Sequence, residues 1–311
     1  MLQLARTDMT THDVYSYGVI ASSTLYLLED KFPARSGYAE IGKKYRNIGG
    51  EAANTSIVLS RLGLSVKLDG NWINPDDDAD FLQDVFGQNN VDISRISFQR
   101  CMGPKEMLVV DSESRTIFGT YAQLLEEKSW NPPKKIDVQN ARVVCLDPFF
   151  GDASSQAAGH AKVLGKPIVT VDCKSDDRIF LASDIAIISE EYIERTYPRH
   201  SITSVIRDYQ ERSSGTVIFT FGQKEIIYSS RGEESKRFTP YRISPVDTTG
   251  AGDSFRAGII FGLLKKWPTQ RAIELASALA AIVCQSFPGV LNSPSYDEVL
   301  TFMKDYESGS H

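Results

Sequence analysis

Asp247-Thr248-Thr249-Gly250-Ala251-Gly252-Asp253-Ser254-Phe255 is the stretch from which the rest of the chain can be read. Before it, Tyr241-Arg242-Ile243-Ser244-Pro245-Val246 is expected to be extended, because Pro245 and the β-branched residues disfavour helix. After it, Phe255, Ile259, Ile260, Leu263 and Leu264 share one helical stripe that ends before Pro268. A Gly-Ala-Gly bend between strand and helix leaves backbone N–H groups unpaired at the positive end of the helix dipole, which suits an anion. Asp253 lies in the first turn of that same helix. A carboxylate there would repel a bound phosphate, unless it acts chemically on whatever the phosphate meets. The pattern predicts a general base, Asp253, beside an anion hole made by the N–H groups of Gly250, Ala251 and Gly252. Those are the parts needed for phosphoryl transfer to an alcohol. Taken alone, Gly-x-Gly-Asp also admits a helix-dipole role for Asp253 and a plain turn role for the glycines.

A second motif, Asn47-Ile48-Gly49-Gly50-Glu51-Ala52-Ala53-Asn54, leads into a helical run that Gly63 can terminate. Asn54, one turn in, can offer a donor and an acceptor to a polyol. In this order and at this separation, the two motifs resemble the signatures of the ribokinase-like (PfkB) carbohydrate kinase family. The resemblance runs from Tyr17 to about Asp305. It implies a three-layer α/β/α fold, with a mainly parallel central sheet and a small β lid over the acceptor site. It also implies transfer of the γ-phosphate of ATP, with Mg²⁺, to a hydroxyl (in the first place a hydroxymethyl) of a sugar or sugar-like acceptor.

The same resemblance assigns roles residue by residue. Gly49, Gly50 and Asn54 would meet the acceptor, together with Asp147, which matches a family acid after the strand Val143–Leu146. Thr220-Phe221-Gly222 matches a Thr-x-Gly beside the nucleotide phosphates, next to Gly252. Asp247 and Thr249 match positions that help hold a monovalent cation, usually potassium. The loop from Cys284 to Ser293 would complete that site through the carbonyls of Cys284, Phe287 and Gly289 and the hydroxyl of Ser293. A plain helix-ending loop is the other reading of it. Two departures bear on the substrate. Ser23 stands where the first strand usually brings an acid to the sugar hydroxyls, and a hydroxyl holds a polyol less strongly than a carboxylate. In Ser189-Glu190-Glu191-Tyr192 an expected Asn-x-x-Glu is altered, so Glu190 or Glu191 is left to serve the magnesium, or both simply begin a helix.

With 311 residues, 41% hydrophobic and 24% charged, the composition is that of an ordinary globular protein, and one domain over residues 14–311 accommodates it. The net charge of −6, with no basic stripe, argues against nucleic acid and anionic membranes as partners. No run approaches the roughly 18 apolar residues of a membrane span, and the N-terminus lacks the apolar core of a signal peptide, so a cytoplasmic location is expected. The four cysteines and four histidines form no Cys-x-x-Cys and no zinc pattern.

Along the chain, strands are expected at Tyr15–Ala21, Val66–Asp69, Ala141–Leu146, Pro167–Val171, Asp184–Ile188, Thr216–Thr220 and Ile226–Tyr228. Helices are expected around Phe81–Gly87, at Ala153–Leu164 and Ile202–Gln210, after Asp253, and at Arg271–Phe287. This alternation argues for a parallel sheet covered on both faces. Segments at about 30–47 and 100–122 do not fit it and are assigned to the lid, including a hairpin around Asp111–Arg115. Ile117, Phe118 and Tyr121 either cover the acceptor or join a second copy into a homodimer. Three alternatives remain to be weighed: a nucleoside kinase of the same family, a ligand sensor on the same fold, and a dehydrogenase. The last is rejected, because Phe255 occupies the third-glycine position of a Rossmann fingerprint and no acid is suitably placed on a second strand.

Overall fold

The structure, a computed structural model, describes residues 11–111 and 115–309. The reading of the N-terminal leader and part of the polar turn at 111–115 lie outside the described residues. In chain order the first half contains β1 (His12–Gly18), β2 (Ala21–Leu28), β3 (Ile41–Gly49), α1 (Glu51–Arg61), β4 (Val66–Gly70), α2 (Asp77–Gln88), β5 (Lys105–Val110), β6 (Arg115–Gly119), α3 (Ala122–Glu127) and α4 (Lys135–Gln139). Next come β7 (Ala141–Leu146), α5 (Asp152–Leu164), β8 (Ile168–Val171), α6 (Arg178–Ala182), β9 (Ile185–Ser189), α7 (Glu190–Thr196) and α8 (Ile202–Arg212). The chain closes with β10 (Thr216–Thr220), β11 (Ile226–Ser230), β12 (Lys236–Phe238), α9 (Ala251–Leu264), α10 (Thr269–Cys284) and α11 (Tyr296–Glu307).

Eight strands form the central sheet in the order β12-β11-β10-β9-β8-β7-β1-β4. From β10 to β4 all pairings are parallel, and β11 and β12 add antiparallel at one edge. Alternate residues of these strands enter different cores, as the period of two requires. Val14, Val143, Cys145, Val169, Ile187 and Ile218 pack with α1, α2, α9, α10 and α11. Tyr15, Tyr17, Val144, Leu146 and Ile168 pack with α5 on the other face, where Ile188, Val217 and Phe219 meet α6, α7 and α8. The result is the expected three-layer α/β/α arrangement with a mainly parallel central sheet.

From β1 the chain moves to β4 on one side, then to β7 and onward on the other. A crevice therefore opens outside the carboxyl ends of β1 and β7, where an open α/β sheet binds its ligands. A second sheet, β3-β2-β5-β6, stands over that crevice. It takes in more chain than the segments at about 30–47 and 100–122, since β2 precedes both. The expected first strand to Ala21 ends at Gly18, and the chain turns at Val19-Ile20 straight into β2. The other difference lies ahead of α9. Tyr241–Val246 belongs to no strand; Pro240 and Pro245 remove two ladder donors, and the backbone amides of Val246 and Asp247 instead donate to the Cys284 carbonyl at the end of α10.

Candidate active site

Gly250 caps α9 in the left-handed region at φ 77°, and a Cβ there would meet Val290 Cγ2 at 2.1 Å, so only glycine fits the turn. Of the expected anion-hole donors, the Ala251 amide is already taken, donating to the Thr248 carbonyl at 3.2 Å, whereas the amides of Gly252 and Asp253 take no backbone partner among the described residues. A Cβ on Gly252 would meet nothing within 4 Å, so open space lies above these amides. Asp253 stands at this mouth, and its Oδ2 accepts from Asn54 Nδ2 at 2.9 Å. Asn54 sits one turn into α1, and the bond joins residues 199 apart in sequence. Burial pushes the Asp253 carboxyl up to about 6, against the opposing pull of the Arg256 guanidinium and the Asn54 hydrogen bond. Beside it, burial and the charges of Asp147 and Asp253 hold Glu51 well above the usual carboxylate range.

Gly50 begins α1 at φ 86°, with the Val19 carbonyl 2.3 Å from where its Cβ would be. Gly49, the last residue of β3, packs as tightly on the Glu106 side chain of β5, because its Cβ would fall 2.0 Å from Glu106 Oε2. Ser23, buried on β2, donates to that same oxygen at 2.8 Å. The hydroxyl that replaces an acid on β2 thus holds an acid brought by β5.

Asp147 requires a correction. The expected acid near the acceptor is fully buried, and protein groups occupy both of its oxygens. Oδ2 accepts from the amides of Val19 and Ala52 at 2.9 and 3.0 Å, and Oδ1 accepts from Arg256 Nη1 at 2.6 Å. Arg256, equally buried, also donates twice to Thr55 Oγ1 at 2.9 and 2.8 Å. Asp147 therefore lies behind the site, pinning together the ends of β1 and β7, the start of α1 and the first turns of α9.

Thr220 ends β10 and Gly222 follows at φ 57°, on the same carboxyl edge. Three strand spacings, about 14 Å, separate β10 from β7. Glu190 and Glu191 start α7, but neither is drawn into the crevice: Glu190 pairs with Lys224 at 2.7 Å and Glu191 is exposed. Tyr192, where the relatives' acid is expected, is buried in the core beneath α7. Asp172, missed in the sequence, accepts from the Ser189 amide and hydroxyl at 2.8 and 2.9 Å. Among the described residues no group of three or more His, Cys, Asp or Glu could hold a metal.

The loop after α10 returns to the α9 turn. Thr249 Oγ1 donates to Asp247 Oδ1 at 2.7 Å, and a Cβ on Gly289 would lie 3.3 Å from the Thr249 carbonyl. Asp247 Oδ2 and Ser293 Oγ are buried without any hydrogen-bond partner. Phe287 packs edge-on against Tyr45 of β3 at 4.9 Å between ring centres, joining this loop to the small sheet. From β6, Arg115 Nη1 donates to the Thr248 carbonyl at 3.2 Å. A cavity of about 730 Å³ beside Trp130, Phe149 and Asp152 includes none of these residues, so chemistry rather than volume locates the site. No helix among the described residues is long and apolar enough to cross a membrane.

Sequence reasoning missed Glu106, Arg115 and Arg256. Arg256 carried a signal, being the one charged residue between Phe255 and Leu264 on an apolar helix. Comparison with known proteins agrees with the geometry. The family model described as "pfkB family carbohydrate kinase" matches residues 12–295. A nucleoside kinase of Methanothermobacter thermautotrophicus is 28% identical over 288 residues, covering 87% of this chain and 89% of the relative. The ribokinase of Haemophilus influenzae is 24% identical over 285 residues, covering 87% and 92%. In three dimensions the chain is similar to Arabidopsis thaliana ribokinase complexed with ribose and ATP, with a TM-score of 0.79, 18% identity, and coverage of 94% and 99%.

Proposed function

The chain belongs to the pfkB family of carbohydrate kinases, phosphotransferases that act on alcohol groups, and on that premise we propose that Asp253 is the general base of an ATP-dependent sugar kinase. One observation carries the reading: Asn54 Nδ2 fixes Asp253 Oδ2 at 2.9 Å, while Oδ1 takes no hydrogen bond among the described residues. One carboxylate oxygen is anchored, and the other is left free to take a proton.

The acceptor hydroxyl, a hydroxymethyl in the first instance, gives its proton to Asp253 Oδ1 as its oxygen bonds to the γ-phosphorus. The bond to the bridging oxygen breaks, and ADP leaves with that electron pair. The Gly252 and Asp253 amides, with the Gly250 turn and the α9 dipole, stabilise the charge on the transferring group. Gly49, Gly50 and Asn54 approach the acceptor, and Thr220 and Gly222 lie towards the rest of the nucleotide. Magnesium, bound chiefly through the phosphates, would neutralise their charge. Of the two candidate acids, Glu191, exposed and without the Lys224 pairing that engages Glu190, would be the one left to help hold it. The orphaned oxygens of Asp247 and Ser293, with the carbonyls of Cys284, Phe287 and Gly289 and with Thr249, fit a hard monovalent cation. Potassium seated there would fix the α9 turn.

A nucleoside is the second acceptor reading, favoured by the hydroxyl of Ser23 and by the nucleoside kinase among the relatives. ADP release measured against ribose, fructose, adenosine and inosine separates the two. Loss of turnover in Asp253→Asn supports the assigned base. Tight ligand binding with no turnover of any acceptor would instead make the protein a sensor.

A further inference from the structure

Across the small sheet one row of residues runs in register: Asn47 on β3, Ser23 on β2, Glu106 on β5 and Gly119 on β6. Residues directly opposite share a face. This face is the one turned to the body, because Tyr45, two residues from Asn47, packs on Phe287. Glu106 is held at both oxygens. Ser23 Oγ donates to Oε2 at 2.8 Å, and the Tyr121 hydroxyl donates to Oε1. Each oxygen keeps a lone pair. Asn47 Oδ1 and Asn54 Oδ1 are buried without any partner, although their residues are only 1% and 5% exposed. Burial and the charges of Glu106, Glu51 and Asp253 keep the Tyr121 hydroxyl protonated, which places it among the carboxylates of the crevice.

Apart from the Asn47 amide nitrogen, the open positions on and beside this face are hydrogen-bond acceptors, and the nearby cations are engaged elsewhere. Arg256 is held by Asp147, Arg46 and Lys105 by Asp78, and Arg115 by the Thr248 carbonyl beyond the anion hole. Lys43 lies exposed at the far end of β3. A ligand that satisfies such a surface must be rich in O–H donors and carry no negative charge.

We propose that Glu106, set by Ser23 and Tyr121, is the residue that determines acceptor specificity, binding the hydroxyls of an uncharged polyol and rejecting phosphorylated sugars. The proposal rests on the phosphotransfer reading above. A free pentose and the ribose of a nucleoside share the recognised chemistry, so both are used as probes.

The test compares wild type with Glu106→Gln, measuring calorimetric binding and steady-state kinetics with ribose, adenosine and fructose 6-phosphate. Loss of charge-assisted bonds should weaken binding of the accepted neutral probe, and raise its KM, about tenfold or more. The KM for ATP should stay unchanged and kcat should fall less than about threefold, as expected when uniform binding is lost. Fructose 6-phosphate should bind wild type at least about 100-fold more weakly than the neutral probe, a gap that narrows in Glu106→Gln. Ser23→Ala, which only frees the carboxylate, should give a smaller change of the same sign. Unchanged affinity for the neutral probe in a Glu106→Gln protein that still binds ATP overturns the proposal, as does a wild-type preference for the phosphorylated sugar. Binding of a neutral probe that depends on Glu106, without turnover, would sink the kinase reading and leave the Glu106 assignment standing.

Discussion

Replacing Arg256 by Met tests what holds the two motifs together. Arg256 donates to Asp147 Oδ1 at 2.6 Å and twice to Thr55, and both members of the ion pair are completely buried. Methionine fills a similar volume, so the cavity contribution is small. What remains is a carboxylate stranded in the interior, and removing one partner of a buried pair costs about 3–5 kcal/mol. Asp147 keeps the amides of Val19 and Ala52, which puts the expected loss near the lower figure, about 3 kcal/mol. That is a large share of the roughly 5–15 kcal/mol that stabilises a typical domain. Adding Asp147→Asn removes the stranded charge and should restore at least about 2 kcal/mol, the signature of a coupled pair. Urea unfolding followed by circular dichroism measures both. A loss under about 1 kcal/mol in Arg256→Met, or a double variant no more stable than the single one, would refute the reasoning. The same variant should move the activity profile. Arg256 opposes the effect of burial on Asp253, so without it the inflection expected at about 6 shifts to higher pH.

Five further outcomes are expected. In wild type, kcat/KM should fall as pH drops through about 6, because Asp253, as the proposed base, must be unprotonated to act. Asp253→Asn should lower turnover by about 10²–10⁴ with the inflection abolished; an inflection that survives would assign it to another group. Gly250→Ala, with its Cβ 2.1 Å from Val290 Cγ2 at φ 77°, should lose about 2 kcal/mol or more. Gly252→Ala meets no protein atom and should leave stability unchanged or gain up to about 1 kcal/mol, yet raise the KM for ATP by filling the space over the amides; an unchanged KM would place the phosphates elsewhere. Activity titrated with KCl against choline chloride should rise with potassium, and Ser293→Ala should shift the response to higher concentration, whereas identical curves would remove the cation from the Ser293 loop.

The parallel core was legible because β7 to β10 are short apolar runs separated by helical stripes, and α9 because its motif and stripe are continuous. The start of the small sheet was not. Val19-Ile20, between β1 and β2, contains no Gly, Pro, Asn or Asp, so one apolar strand reads straight into the next. Before Asp247 the sequence reads as extended chain leading into a turn, and prolines favour extension whether or not a ladder partner exists, so the missing partner is invisible there. Asp253, Asn54 and the glycines were visible from their spacing. The role of Asp147 was not, since matching a position says nothing about which way a side chain points; its partner Arg256 lies 109 residues away. Glu106 was hidden for a related reason, because its face is decided only once β5 pairs with β2.

The β2–β3 half of the small sheet joins the body through two segments that touch, Val19-Ile20 and Gly50, whose backbones are too close to admit a single extra carbon. Any swing of that half pivots at this neck. Asn47, Ser23 and Glu106 sit beside the pivot and travel little, whereas the far end of β3, at Lys43, travels most. On the proposed reading, gripping the acceptor and shutting out water are divided along one sheet, and the first need not wait for the second.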